Sequence, residues 1–141
     1  MTMAIEPQRV RVRQTTKMSE VDESIELHAD GLYYELKTGF ILMFDQERED
    51  GIVPTTLKYT IGRLALICKG PIEMNHSFIE GRLTQSLYKN PYMSMTMATT
   101  TERLDVEDNR CRFVYELSMN DDVAGNYEVD VVWTFEGGDE A

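Results

Sequence analysis

The side chains best suited to nucleophilic or metal chemistry in this chain are Cys68, Cys111, His28 and His76, and their spacing fits no zinc pattern. A thiol activated by an imidazole needs the two groups within hydrogen-bond reach. Nothing in the sequence places Cys68 or Cys111 beside His76. Both cysteines fall at apolar positions of alternating segments, where the residue acts as a small, inert hydrophobe. No serine sits in a nucleophile elbow, and no glycine-rich turn opens a helix to cradle phosphate. A helix-flanked calcium loop needs glycine in sixth place and glutamate in twelfth. Counted from Asp45, Gly51 is seventh and Thr56 twelfth, so residues 45–51 read as a solvated hairpin tip. No catalytic residue, metal or cofactor is expected, and an enzyme is the weakest of the functional readings.

Binding chemistry is better represented. His76 alternates with Met74 and Phe78, so it shares what should be an inward apolar face, and a polar group there needs a partner. That partner is a protein group or the polar end of a ligand. Met93, Met95 and Met97 form a thioether stripe able to fill an irregular core or adapt to a ligand. Tyr88 and Tyr92 flank Asn90-Pro91, either anchoring that loop or walling a mouth. The candidate ligand site is therefore Met74, His76, Tyr88, Tyr92, Met93, Met95 and Met97. The same residues would also serve as plain core.

Strands must position them. Tyr127, Val129, Val131, Trp133 and Phe135 alternate with Glu128, Asp130, Thr134 and Glu136, the period-two pattern of a strand with one dry face. The pattern begins at 8–18 (Val10 and Val12 against Arg9, Arg11 and Arg13) and recurs at 23–29. Asp30-Gly31 then reads as a tight hairpin turn. Further strands are expected over 32–36, 40–44, 55–60 with Pro54 at its start, 64–69, 72–79, 83–88, 93–97, 111–119 and 127–135. Residues 100–107 could hold a helical turn, and 121–126 read as a polar loop. About ten or eleven strands with a turn signal every ten residues or so predict an all-β fold: a single antiparallel meander closed into a barrel. The arginines of the first strand would find acids on the last, closing the barrel, or within the first hairpin at Glu23 and Glu26.

The segment 69–81 resembles the YwiB-like family of bacterial proteins. Gly70, Met74, Phe78 and Gly81 match its pattern, followed by Tyr88, Pro91 and Tyr92, a threonine-rich stretch at 96–101, and Phe135-Glu136-Gly137-Gly138. Met93 stands where the family has glycine after the Pro-Tyr pair. The resemblance spans nearly the whole chain. It implies a small β-barrel grouped with the lipocalin and calycin folds, of about 8–10 strands, and brings no catalytic residues.

The chain has 141 residues, enough for one domain with its own core, with residues 1–7 and 137–141 as loose termini. A net charge of −11 disfavours nucleic acid and anionic membrane surfaces as partners. The first fourteen residues lack the apolar run of a secretory signal, so a cytoplasmic location is expected, with both cysteines reduced. The functional expectation is a non-enzymatic barrel holding a small apolar molecule. Its rival is an interaction or homo-oligomerising module with a filled barrel, because 40–44 and 64–68 are apolar on both faces.

Overall fold

Ten strands, each antiparallel to its neighbours, make one sheet that curls into a nearly closed barrel, and no helix occurs among the described residues. The computed structural model describes residues 6–18, 23–48 and 51–136. The strands are β1 (Gln8–Met18), β2 (Glu23–Leu36), β3 (Gly39–Arg48), β4 (Gly51–Thr60), β5 (Arg63–Cys68), β6 (Met74–Ile79), β7 (Leu83–Lys89), β8 (Ser94–Glu107), β9 (Arg110–Met119) and β10 (Asp122–Phe135). Their order is β6-β5-β4-β3-β2-β1-β10-β9-β8-β7. First does pair with last, from Val10 opposite Phe135 to Met18 opposite Tyr127. That ladder lies in the middle of the sheet, and the two edges that must meet are β6 and β7.

Of the β1 cations, Arg11 pairs within the first hairpin, as one expectation had it, but with a different acid from Glu23 and Glu26. Arg11 binds Asp30 of β2 at 2.7 Å, while Asp130 and Glu128 of β10 take Arg110 and Arg112 of β9 at 2.8 and 2.6 Å. Lys17 lies opposite Glu128 in the ladder, yet a long arginine on the diagonal reaches that carboxylate.

Two predicted breaks are absent and a third is shortened, each for a physical reason. Asp30-Gly31 is no turn, because β2 runs straight through it. Gly31 is needed there for close packing: a Cβ would come within 2.7 Å of the Met43 carbonyl oxygen and 3.0 Å of Val12 Cγ2. Residues 100–107 hold no helical turn and belong to β8, where a bulge between Thr101 and Arg103 shifts the alternation by one residue. Residues 121–126 are mostly strand too. The chain turns at Asn120 and Asp121, both at positive φ, and β10 carries a bulge between Val123 and Gly125. The predicted tip at 45–51 is shorter than expected, since pairing continues to Arg48 opposite Gly51, and residues 49 and 50 lie outside the described residues. Pro54 sits inside β4 rather than at its start. Its carbonyl accepts a bond from Lys69 N, beyond the end of β5. Its nitrogen faces the same side, where no ladder asks for a donor.

The inner faces meet in one main core that includes Val12, Leu42, Phe44, Leu57, Phe78, Phe113, Val131 and Trp133. Aromatic rings occupy much of it. Trp133 lies 5.0 Å from Phe40 and 5.7 Å from Tyr33 between centroids, and Phe78 lies 4.8 Å from Phe113. A smaller cluster of Val53, Cys68 and Ile72, with Met74 and Tyr88 against it, fills the region towards the opposite end.

Trp133 is 2% exposed. Trp133→Ala is expected to destabilise the fold by about 3–5 kcal/mol, read from equilibrium urea unfolding; a loss below ~1 kcal/mol would contradict the packing described. Cys68 and Cys111 are free and buried. Burial raises the Cys68 thiol pKa and pushes that of Cys111 up to about 12. Both are expected to resist a thiol reagent in native buffer and to react at once in denaturant.

Candidate functional site

Strand parity places the candidates on the inside. Met74, His76 and Phe78 of β6 alternate with outward Asn75 and Ser77, and on β7 the inward set is Thr84, Ser86 and Tyr88. Opposite them on β8 stand Thr99, Met97 and Met95. Met74, His76, Tyr88, Met95 and Met97 are thereby gathered around the β6–β7 edge of the barrel. Tyr92 and Met93 are not: they sit on the β7–β8 loop, 83% and 51% exposed. Their backbone nitrogens donate to Asn90 Oδ1 at 2.8 and 2.9 Å, so this asparagine shapes the loop.

The β6–β7 edge is unusual because the two strands lie side by side without a continuous ladder. Glu73 and Lys89 exchange backbone bonds of 2.9 and 3.0 Å at one end. At the other end, Gly81 N donates to the Thr101 carbonyl at 2.7 Å and Thr101 N to the Arg82 carbonyl at 3.2 Å, docking the turn on β8. Side chains close the stretch between. His76 Nδ1 lies 2.6 Å from Ser86 Oγ, and its Nε2 lies 2.7 Å from Thr99 Oγ1 and 3.3 Å from Thr84 Oγ1.

One bond in this set fixes the direction of the others. Thr84 Oγ1 donates to the Ser77 carbonyl at 2.5 Å, which uses its only proton. Thr84 must therefore accept from Thr99, 3.1 Å away. Thr99 in turn accepts from His76 Nε2–H, and Nδ1 accepts from Ser86. The neutral Nε2–H tautomer satisfies every member of the chain. His76 is fully buried, and desolvation lowers its pKa to about 4. The partner that the sequence demanded for this imidazole is thus the facing strands.

The barrel end near this cluster contains residues that sequence reasoning passed over. The inner faces of β1, β2 and β3 continue past the core as Gln14 and Thr16, Leu27 and Ile25, and Gln46 and Arg48. With Glu47 they line a cleft of about 650 Å³. Gln46 Nε2 donates to buried Thr55 Oγ1 at 3.0 Å, and Arg48 Nη1 donates to Gln46 Oε1 at 3.5 Å. Thr55 itself bonds the Val53 carbonyl at 3.0 Å. Parity counted from Phe40, Leu42 and Phe44 would have placed Gln46 and Arg48 inside, but the charged run hid the signal.

Because the folded pKa of His76 lies below its ordinary 6.5, folding favours the neutral ring. Its contribution is fully present above pH ~6.5 and falls as the pH drops towards ~4, by on the order of 3 kcal/mol. His76→Phe should flatten that acid limb of the stability profile, measured by urea midpoints across the range. It should also lower stability at neutral pH by leaving Ser86 and Thr99 without their partner. An unchanged acid limb in the variant would show that His76 does not carry the effect.

Comparison with known proteins agrees with this architecture. The chain is 26% identical over 139 residues to the uncharacterized beta-barrel protein YwiB of Bacillus subtilis (strain 168), covering 96% of each chain. The crystal structure of the ywiB protein from Bacillus subtilis superposes with a TM-score of 0.68 at 22% identity, over 91% of this chain and 92% of that one. Residues 10–131 match the family model described as Domain of unknown function (DUF1934), and the protein belongs to that family of β-barrels.

Proposed function

We propose that this barrel binds a small, largely apolar molecule at the end where β1, β2 and β3 leave the core, and that it does so without catalysis. The observation that carries the reading is the cleft of about 650 Å³ lined by Gln14, Thr16, Ile25 and Leu27, within the range of small-molecule sites. Inner faces sealed further along by Val10, Val12 and Phe44 here give way to partly exposed side chains, with Ile25 and Leu27 as the apolar wall among the polar Gln14, Thr16, Gln46, Glu47 and Arg48. Met74, Tyr88, Met95 and Met97, the adaptable thioether and aromatic surfaces, gather at the β6–β7 edge and are not among the residues that line this cleft. His76 belongs to that edge, its two nitrogens already engaged by protein groups. Tyr92 and Met93 stand apart on the exposed β7–β8 loop. The two free cysteines suit a reducing compartment, and the cytoplasm is the proposed location.

A second reading has its own observation. Outward residues of β2 to β5, apolar except at Thr56 and Lys58, align in two neighbouring rows, Leu32–Met43–Thr56–Ile67 and Tyr34–Ile41–Lys58–Ala65. Leu32 and Met43 are exposed. Such a face suits association with another copy of the chain.

Native mass spectrometry of protein isolated from its own cells separates the two readings. A monomer carrying a small-molecule adduct is expected; a dimer without adduct would favour the second. In parallel, the uncharged fluorophore N-phenylnaphthylamine should bind saturably, and Leu27→Glu should weaken it about tenfold or more. No adduct and no saturable binding would overturn the ligand reading.

A further inference from the structure

We infer that the molecule taken by the barrel end carries an anionic head, a carboxylate or similar group, held by Arg48. This rests on the ligand reading above and names the class of guest. Arg48 belongs to the inner-face series of β3 that runs through Phe44 and Gln46, and it lines the same cleft as Leu27 and Thr16. It lies close enough to buried Cys68 on β5 for its charge to lower that thiol's pKa against the larger effect of burial. Among the described residues, no ion pair includes Arg48.

What holds Arg48 is a short polar chain reaching into the core. Its guanidinium donates to Gln46 Oε1, Gln46 donates to Thr55, and Thr55 is buried and bonded to the Val53 carbonyl. Gln46 thereby acts as a positioning residue, aiming a cation at the rim of the cleft beside Ile25 and Leu27. A guanidinium uses one of its five N–H donors on Gln46 and keeps a fork for a carboxylate. Glu47 also lines the cleft but sits on the opposite parity of β3, so it borders the head-group position without sharing Arg48's bonds. The whole chain carries −11, a field that repels anions. A preference for an anionic guest would therefore have to be made locally, and among the described residues lining the cleft Arg48 is the cation that can make it.

The test displaces N-phenylnaphthylamine from the full chain with three guests of equal tail length: decanoate, decanol and decyltrimethylammonium, at neutral pH and low salt. Decanoate is expected to compete about tenfold better than decanol, as a charge-assisted pair with a guanidinium would give. Arg48→Gln should abolish that preference while leaving decanol unchanged, and Gln46→Leu should reduce it in part. Equal competition by decanoate and decanol, a preference for the ammonium, or a decanoate preference that survives Arg48→Gln would overturn the inference while leaving the ligand reading intact. Failure of the fluorophore and of all three guests to bind would remove both.

Discussion

A sheet that curls until its edges meet must satisfy those edges, and here the closure at β6–β7 governs the rest of the structure. Unpaired strand edges invite aggregation, and a complete barrel removes them by a ladder. Among the described residues, backbone bonds join this edge near its two ends, at Glu73–Lys89 and at the Gly81–Arg82 turn on Thr101. Between them the His76 network does the joining, through hydroxyls of Ser86, Thr84 and Thr99. Hydrogen bonds in a water-free interior are strong when complete and costly when broken, because each lost partner strands another group. The direction of that chain fixes a proton on Nε2, and desolvation of the buried ring keeps Nδ1 unprotonated as an acceptor for Ser86.

The closure also orders what lies on either side of it. Towards one end, aromatic rings from β2, β3, β9 and β10 pack into the main core. Towards the other, Val53, Cys68 and Ile72 make a smaller cluster, and the inner faces of β1 to β3 then run out into polar residues. A packed core and a cleft at one mouth coexist because the strands are longer than the core is deep. β2, at 14 residues, extends well past the level at which Trp133 and Phe40 meet. The polar chain from Thr55 to Arg48 then serves two purposes. It satisfies a buried hydroxyl, and it holds a long cationic side chain that would otherwise sample many rotamers.

Alternation by itself determined the class of fold, the ends of β1, the inward set of β10 and the placement of Met74, His76 and Phe78 on one face. It could do so because side chains must alternate across a pleated strand whatever the partner. It failed where the reason for a residue lies on another strand. Gly31 looked like a turn and is a point of close approach to Met43 and Val12. The bulge in β8 broke the period and mimicked a helical turn. Alternation left the arginines of β1 to acids of β10 or of the first hairpin; Arg11 takes Asp30 in the hairpin, and diagonal geometry gives Asp130 and Glu128 to arginines of β9. Sequence also foretold that His76 needs a partner, but hydroxyls on β7 and β8, up to 23 residues away along the chain, could be identified only once the strands were folded against it. The meeting of Gln14, Leu27, Gln46 and Arg48 at one mouth is likewise a product of register among three strands, which local pattern leaves open and tertiary pairing decides.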